Sequence, residues 1–298
     1  METLKSGTSA AESPDQINAR ERLQAILEIQ RKNKFRCETL TPENITMKDI
    51  IEISDFFRFI FNNAWGEFAV CTDCDSKMLD GMKLSAMQVF GTGEEYVPTK
   101  QMDELKTLPN CPCCSKPMEL FHDPLRTLVL MRKKLEKNGH ATLLRQENEG
   151  DRLSGFTFGY GATLKEECDG EWGNRYNYMR KRKPQHDRDF DTLLQKLRNS
   201  FPQSEFNENT EVFAWNCIAT APWARFSKPL AEMIRQFFST IPTKHIEKYL
   251  IGEAKEGSFA YQQIFKWAGA KDVRGFLEGD NVVLAGPLKI GIPLFSNY

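Results

Sequence analysis

Two pairs of cysteines carry the clearest metal-binding chemistry in this sequence. Cys71 and Cys74 lie in the stretch CTDC, and Cys111 and Cys114 lie in NCPCCSKPM, with residues 75–110 between the pairs. Two C-x2-C turns can each present two thiolate sulfurs to one tetrahedral Zn²⁺ ion. Paired spacing that occurs twice favours a metal site over buried cysteines that bind nothing.

The predicted zinc is structural, because four sulfur ligands leave no coordination position for water. The stretch CPCCSKPM is similar to a zinc-ribbon knuckle, which lets a small segment fold around a metal with little core. Alternative ligands stay open, since Cys113 could replace Cys111, and Cys37 and His122 are further candidates. Residues 66–120 are therefore predicted to form a zinc-ribbon insertion.

A second candidate site is the basic and aromatic stretch NRYNYMRKRK. Cations interleaved with aromatic rings suit RNA or single-stranded nucleic acid, and a solvated run of charge explains the stretch equally well. The neighbouring zinc ribbon favours an RNA or protein partner slightly. The candidate contacts are Arg175, Tyr176, Tyr178, Arg180, Lys181, Arg182 and Lys183.

Elements on both sides of the cysteines must position these residues. Residues 1–14 are predicted to be a disordered tail, followed by a helix capped by Asp15 and by a strand at KFRCETL. Thr46 and Asp49 have the spacing of a capping box, and the many phenylalanines of the helix that follows indicate burial on more than one side.

After the cysteines, Asp-Pro at 123–124 predicts the start of a helix with Leu125, Leu128 and Leu135 facing inward. HATLLRQ and RLSGFTFGY flank ENEGD and predict a β-hairpin. In the second strand of that hairpin, Phe156, Phe158 and Tyr160 should share a face.

The second half of the chain continues the alternation of strands and helices. EVFAWNCIATAP predicts a central strand, and residues 165–209 before it predict a loop-rich insertion with one short helix. A helix with an apolar stripe from Leu230 to Ile241 follows, then a strand at HIEKYLIGEA, a helix at SFAYQQIFKWA, and strands at VRGFLE and NVVLAG. The predicted fold class is α/β (α+β), a mixed central sheet flanked by helices.

Composition and charge indicate the class of protein and its expected compartment rather than its function. The chain has 298 residues, of which 40% are hydrophobic and 27% charged, and its net charge is −1. These values fit one large or two smaller domains and favour neither an acidic nor a basic partner. The sequence has neither an apolar run long enough for a bilayer nor a secretory signal at its start, so we expect no membrane partner and a reducing compartment such as the cytoplasm.

The order of elements resembles the GNAT N-acetyltransferase superfamily. Residues 220–225 match the first part of the family's V-x-P-x-x-[QR] loop after a strand, and TPENITMKDIIEI, GFTFGY and AYQQIFKWAGA are similar to other family segments. The resemblance covers residues 35–65 and 124–286, so that residues 15–65 and 121–298 would form one domain around the zinc ribbon. It implies an acyl-CoA-dependent N-acyltransferase that transfers acetyl to an amine, including an amine on a macromolecule. In the family, the interrupted helical region borders the acceptor site.

The resemblance also implies roles for individual residues. Backbone N–H groups near Cys217, Ile218, Ala219 and Thr220 would polarise the thioester carbonyl, and the loop Arg225, Phe226, Ser227 and Lys228 would hold the pyrophosphate of acetyl-CoA or another acyl-CoA. Glu211 and Glu171 are candidate bases. Tyr261 is the candidate acid, since Phe265 stands where the family has its usual tyrosine.

Other departures from the family pattern favour a second hypothesis. Lys228 and Leu230 stand where the family has glycines, and Pro229 between them has no backbone N–H to offer a phosphate. The alternative is a catalytically inactive GNAT-fold zinc-binding protein, which would serve as a structural or RNA- or protein-binding subunit.

Overall fold

In the part of the chain that the structure describes, seven strands form one mixed sheet and two short strands form a separate pair. This computed structural model describes residues 32, 34–64, 69–70, 110–111, 114–117, 119–120, 122, 124–169, 190–221, 224, 228–246, 248–255, 270–274 and 281–288. The strands are β1 (Phe35–Leu40), β2 (Ala69–Val70), β3 (Glu119–Leu120), β4 (Gly139–Gln146), β5 (Arg152–Thr163), β6 (Glu211–Thr220), β7 (Tyr249–Lys255), β8 (Lys271–Val273) and β9 (Asn281–Pro287). The helices are α1 (Met47–Ala64), α2 (Pro124–Asn138), α3 (Leu164–Glu167), α4 (Phe190–Ser200), α5 (Lys228–Ser239) and α6 (Thr243–Ile246), with a 3-10 turn at Glu147–Glu149.

The large sheet has the strand order β1-β4-β5-β6-β7-β9-β8. Strands β6 and β7 pair in parallel, whereas the other neighbouring pairs of this sheet are antiparallel. A parallel pair requires a crossover connection, and α5 and α6 lie in that connection. The predicted fold class is thus confirmed as a mixed sheet flanked by helices, with the predicted central strand β6 fourth of seven.

Helices cover both faces of the sheet. On one face, Phe56 of α1 packs edge to face against Phe156 of β5, with ring centroids 6.0 Å apart. On the other face, Trp215 of β6 packs against Phe237 and Phe238 of α5, at centroid distances of 6.1 and 5.0 Å. We call these the α1/α2 face and the α5 face.

The start of α1 follows directly from its sequence. The Asp49 N–H donates to Thr46 Oγ1 at 3.2 Å, and the Thr46 N–H donates to Asp49 Oδ2 at 2.9 Å. This reciprocal pair is the predicted capping box, and it satisfies donors that a helix start leaves without partners. Ile50, Ile53 and Phe56 are fully buried.

Two further patterns are confirmed. Phe156, Phe158 and Tyr160 stack in sequence along one face of β5, with centroid distances of 6.0 and 6.5 Å. The predicted stripe of α5 and the turn after it is buried at every position, namely Leu230, Met233, Ile234, Phe237, Phe238 and Ile241.

The predicted inward face of α2 is wrong at its start. Leu125 is 70% exposed, and the buried residues of the helix are Thr127, Met131, Lys134 and Leu135. The stripe is rotated because Lys134 points inward, where its Nζ lies 4.8 Å from the centroid of the Tyr160 ring. A lysine stem packs like an apolar side chain, and its ammonium is attracted to an aromatic face.

Two predicted strands begin or end elsewhere. The stretch HIEKYLIGEA becomes strand only from Tyr249 onward, because His245 lies in the short helix α6. Of VRGFLE, the structure describes Val273, the last residue of β8, and Arg274, which forms a turn, while residues 275–278 lie outside the described residues. The predicted helices after Asp15 and at SFAYQQIFKWA lie outside the described residues, apart from Lys32, which is helical.

A buried arginine joins β4 to β1 and α1. Arg145 Nε donates to Glu38 Oε2 at 2.7 Å, and Arg145 Nη2 lies 2.9 Å from Glu52 Oε2 and 3.6 Å from Asp49 Oδ1. Burial acts to lower the pKa of Arg145, but hydrogen bonds and charge from Glu52 and Glu38 raise it above its already high ordinary value. We call this group the Arg145 cluster.

Candidate functional site

Strand β6 contains a β-bulge at Asn216. Phe158 of β5 lies opposite Cys217, whereas the next residue, Gly159, lies opposite Trp215, which leaves Asn216 as an extra residue in β6. A bulge bends the strand and changes which face the following side chains point to. Directly opposed residues share a face. Trp215 therefore points to the α5 face and Cys217, opposite Phe158, to the α1/α2 face.

The bulge coincides with the point where the parallel strands lose their pairing. The register of β6 with β7 runs from Val212↔Tyr249 to Trp215↔Gly252 and ends there among the described residues. Strand β6 nevertheless continues to Thr220, and β7 continues to Lys255. Residues 216–220 of β6 and 253–255 of β7 do not pair with each other, and we call the space between them the β6/β7 gap. In open α/β sheets, ligands bind beyond the carboxyl ends of parallel strands where the topology changes direction.

The backbone edge of β6 that faces this gap can be assigned from its pairing with β5. The Ala221 N–H donates to Ser154 O at 2.8 Å, which makes Ala221 a hydrogen-bonded position. Hydrogen-bonded positions alternate along an antiparallel pair. The amide groups of Ile218 and Thr220 consequently point toward the gap, and both residues are half-buried.

The predicted residues of the thioester site thus divide into two groups. Ile218 and Thr220 offer backbone amides to the gap, whereas Cys217 and Ala219 are buried on the α1/α2 face. A nearby turn, in which the Ala224 N–H donates to Ala221 O at 2.9 Å, leads toward α5.

The predicted pyrophosphate loop is described only at its end. Lys228 is exposed and is the first residue of α5, Pro229 is half-buried, and Leu230 is buried. Because the side chain of Leu230 is buried in the core, it does not cover the outer surface of the helix start. Arg225, Phe226 and Ser227 lie outside the described residues.

The candidate base Glu211 lies at the opposite end of β6 from Thr220. Its carboxylate is exposed and pairs with Lys248 at an Oε2–Nζ distance of 3.1 Å. Five residues of strand separate it from Asn216, which corresponds to about 16 Å. The structure therefore does not bring Glu211 together with the gap. Glu171, Tyr261 and Phe265 lie outside the described residues.

A buried carboxylate that the sequence analysis missed lies closer to the bulge. The hydroxyl of Tyr160 donates to Glu167 Oε2 at 2.5 Å, and Glu167 is 3% exposed. Tyr160 pairs with Ala214, two residues before the bulge. Glu167 lies in a short polar stretch, LKEE, and such a stretch gives no periodic signal of burial.

The second cysteine pair lies on a tight turn. The Cys111 N–H donates to Lys116 O and the Ser115 N–H donates to Cys111 O, both at 2.7 Å. Ser115 has a φ of 59°, in the left-handed region typical of tight turns. Cys111 is buried and Cys114 is half-buried. This compact turn fits a C-x2-C segment that presents two sulfurs to one ion.

The first cysteine pair follows a strand that pairs beside this turn. Val70 of β2 lies opposite Glu119 of β3, and Cys71 is the next residue after Val70. The strand pair therefore joins the start of CTDC to the end of CPCCSKPM. Among the described residues, which include Cys111 and Cys114 but not Cys71, Cys74 or Cys113, three or more metal-ligating side chains do not converge.

The stretch from the first cysteine pair to His122, residues 71–122, is called the cysteine segment below, and its end contacts α1. Arg58, which is 1% exposed, donates from Nε to His122 O at 3.1 Å. The His122 ring packs against Phe57 and Phe61, with centroids 5.0 and 6.1 Å away.

The two alternative ligands Cys37 and His122 lie on opposite faces of the sheet. Cys37 and Thr39 are two residues apart in β1 and therefore lie on the same face of the sheet. Thr39 Oγ1 accepts a hydrogen bond from Gln236 Nε2 of α5 at 2.9 Å, so this is the α5 face. Burial raises the pKa of the Cys37 thiol to about 11, which disfavours the thiolate that binds metal. His122 contacts α1 on the other face, so one ion cannot bind both residues.

Two further predictions concern nucleic-acid binding and the membrane. The predicted nucleic-acid contacts, from Arg175 to Lys183, lie outside the described residues. Among the described helices, none combines the length and the apolar character that a membrane span requires.

A scan against models of known protein families found no match, and a search of curated proteins found no significantly similar sequence.

Proposed function

We propose that this chain is an acyl-CoA-dependent N-acyltransferase with a GNAT-like fold. The observation that carries the proposal is the β6/β7 gap, which opens at the bulge of Asn216 and, among the described residues, leaves the amide edge of Ile218 and Thr220 unpaired with β7. An extended chain such as the amide-containing arm of CoA can pair with an unpaired strand edge. The acyl thioester would then lie near the bulge.

The connection after β6 supports the same proposal. The strand leads through a short segment to the start of α5, which is the order strand, loop, helix of the family's donor-binding motif. A helix start attracts anions through its N–H groups and its dipole. Lys228 adds an exposed positive charge at that position.

The reaction requires few protein groups. The acceptor amine adds to the thioester carbonyl, the oxyanion that forms accepts hydrogen bonds from backbone N–H groups of β6, and the CoA thiolate leaves as the amide bond forms. The proton lost by the amine passes to a base or to water. Glu211 is a poor candidate for direct contact, because its carboxylate pairs with Lys248 at the far end of β6.

One observation favours the second candidate, a non-catalytic zinc-binding protein with the same fold. Pro229 lies in the first turn of α5 and removes one of the N–H groups that a phosphate would use. Such a protein would serve as a structural subunit or bind RNA or protein, and it would retain the strand edge without binding acyl-CoA.

Isothermal titration with acetyl-CoA separates the two candidates. We expect wild-type protein to bind with a dissociation constant in the micromolar range. Ile218→Pro removes an N–H from the gap side only and should weaken binding about tenfold, while Ile218→Ala keeps the N–H and should stay close to wild type. Absence of binding at millimolar acetyl-CoA would contradict the enzyme proposal and favour the second candidate.

We further propose that Cys71, Cys74, Cys111 and Cys114 hold one structural Zn²⁺. The tight turn at Cys111 and the strand pair that ends one residue before Cys71 support this set. Purified protein should contain about one zinc per chain, and Cys114→Ser should reduce that content, whereas Cys37→Ser should not. Less than half a zinc per chain in the wild type would contradict the proposal.

A further inference from the structure

The hydroxyl of Thr157 connects the residues on both sides of the bulge. Trp215 Nε1 donates to Thr157 Oγ1 at 2.7 Å, and Thr157 Oγ1 donates to Cys217 O at 3.0 Å. Trp215 directly precedes Asn216 and Cys217 directly follows it. Thr157 is fully buried in the adjacent strand β5.

This chain of hydrogen bonds can run in one direction only. An indole N–H is a donor without acceptor capacity, and a carbonyl oxygen is an acceptor without a proton. The Thr157 hydroxyl must therefore accept from Trp215 and give its single proton to Cys217. A side chain that lacks either function breaks the connection.

Both ends of the connection are held in place by packing. The Trp215 ring packs against Phe237, stacked at 6.1 Å, and against Phe238, edge-on at 5.0 Å. Thr157 is β-branched, so its χ1 angle has few alternatives in a strand. The hydroxyl thus links a fixed ring to a backbone carbonyl that lies beyond the extra residue.

We propose that Thr157 is a positioning residue that sets where β6 leaves its register with β5, and so aims the amides of Ile218 and Thr220 at the β6/β7 gap. The inference rests on the proposed function, in which this gap receives the acyl donor. Thr157 itself points to the α5 face and touches no reacting atom. Without its hydroxyl, the extra residue could shift to a neighbouring position, and the amides of β6 would turn away from the donor.

The test compares Thr157→Val, which has nearly the same shape without the hydroxyl, with Thr157→Ser, which keeps it. In Thr157→Val we expect the indole N–H of Trp215 and the amide of Cys217, which by the same alternation as Ala221 points to β5, to exchange with solvent about tenfold faster, as measured by NMR. The amide of Leu197 in α4, which packs against the edge strand β8, should exchange at the wild-type rate. Affinity for acetyl-CoA should fall about tenfold in Thr157→Val and return to within about threefold of wild type in Thr157→Ser.

Several outcomes decide against the inference. Unchanged exchange at Cys217 in Thr157→Val overturns it, as does faster exchange that is equal at Leu197, because that result reports a loss of global stability only. If the wild type binds no acetyl-CoA, the proposed function fails, and the exchange data still decide whether Thr157 positions the bulge. Should Thr157→Val fail to fold, Trp215→Phe removes the indole donor together with part of the buried ring, and normal exchange at Cys217 in that variant contradicts the proposal.

Discussion

Acidification from pH 7 to pH 5 should destabilise this protein through two buried histidines. His140 is fully buried, and its Nε2 lies 3.1 Å from Phe237 O, so the neutral ring carries its proton on Nε2. Among the described residues, Nδ1 of His140 has no hydrogen-bond partner. A second proton would leave a buried N–H without an acceptor, and burial lowers the pKa of His140 to about 4.

His245 is in a similar position on the same face of the sheet. It is 2% exposed, and its ring lies 5.3 Å from that of Phe213. Burial first, and then the positive charges of Lys248 and Lys244, lower the pKa of His245 to about 4, with His140 acting in the same direction and Glu211 opposing.

The magnitude follows from the difference between the folded and unfolded pKa values. As the pH falls below the unfolded value of about 6.5, the unfolded chain binds protons that the folded chain does not, and stability is lost until the pH approaches the folded value of about 4. Between pH 7 and pH 5, each histidine should lower the free energy of unfolding by about 2 kcal/mol. The two together should lower it by about 3–4 kcal/mol.

Urea denaturation at pH 7.5, 6 and 5 measures this effect. His140→Gln keeps a donor near Phe237 O but cannot titrate, so it should lose about half of the pH dependence whatever its stability at pH 7.5. The same should hold for His245→Gln. If wild type and both variants show the same decrease in unfolding free energy between pH 7.5 and pH 5, the histidines titrate normally and the reasoning is refuted.

Four substitutions test other parts of the fold by urea denaturation. Arg145→Met leaves the carboxylates of the Arg145 cluster together without this cation and should cost about 3 kcal/mol; a loss under 1 kcal/mol would show that the cluster is only a surface pair. Gly161→Ala would place a Cβ 2.5 Å from Cε1 of His245 and should cost about 1–3 kcal/mol, so wild-type stability would contradict this close contact. Leu125→Lys should change stability by no more than about 0.5 kcal/mol, whereas Leu135→Ala should cost about 2–5 kcal/mol. A loss of more than about 2 kcal/mol in Leu125→Lys would instead support the inward position that the sequence predicted for Leu125.

Sequence reasoning succeeded where the signal was local and periodic. The capping box of Thr46 and Asp49 depends on residues three apart, and the buried stripe of α5 depends on a repeat of 3.6 residues. The alternation in β5 likewise placed Phe156, Phe158 and Tyr160 on one face. Each of these patterns can be recognised without knowing what packs against it.

The bulge could not be predicted, because its signal depends on two strands that are distant in sequence. EVFAWNCIAT is apolar almost throughout, so its alternation is hidden and the extra residue at Asn216 leaves no trace. The end of pairing at Trp215↔Gly252 likewise depends on β7, thirty and more residues further along the chain. For the same reason, the hydroxyl of Thr157 looks like any other strand threonine until its two partners are known.

Buried polar groups were missed for a related reason. Lys134 and Glu167 are residue types that are rarely buried, and both make tertiary contacts with Tyr160. The inward Lys134 also rotated the predicted face of α2 and exposed Leu125. Polar residues inside a core therefore cause errors in a prediction that relies on the positions of apolar residues alone.

The cysteine segment and the β6/β7 gap are connected through one helix, and they use different sides of it. The outer side of α1 holds the end of the cysteine segment, through Phe57, Phe61 and the contact of Arg58 with His122 O. The inner side carries Phe56, which packs on Phe156, and Phe156 lies opposite Ala219 of β6. The inner side of α1 remains buried whatever the cysteines bind. Under the proposed function, a metal in this segment would therefore affect how an acceptor or partner approaches the α1/α2 face. The geometry of the gap depends instead on contacts within the sheet and on the α5 face.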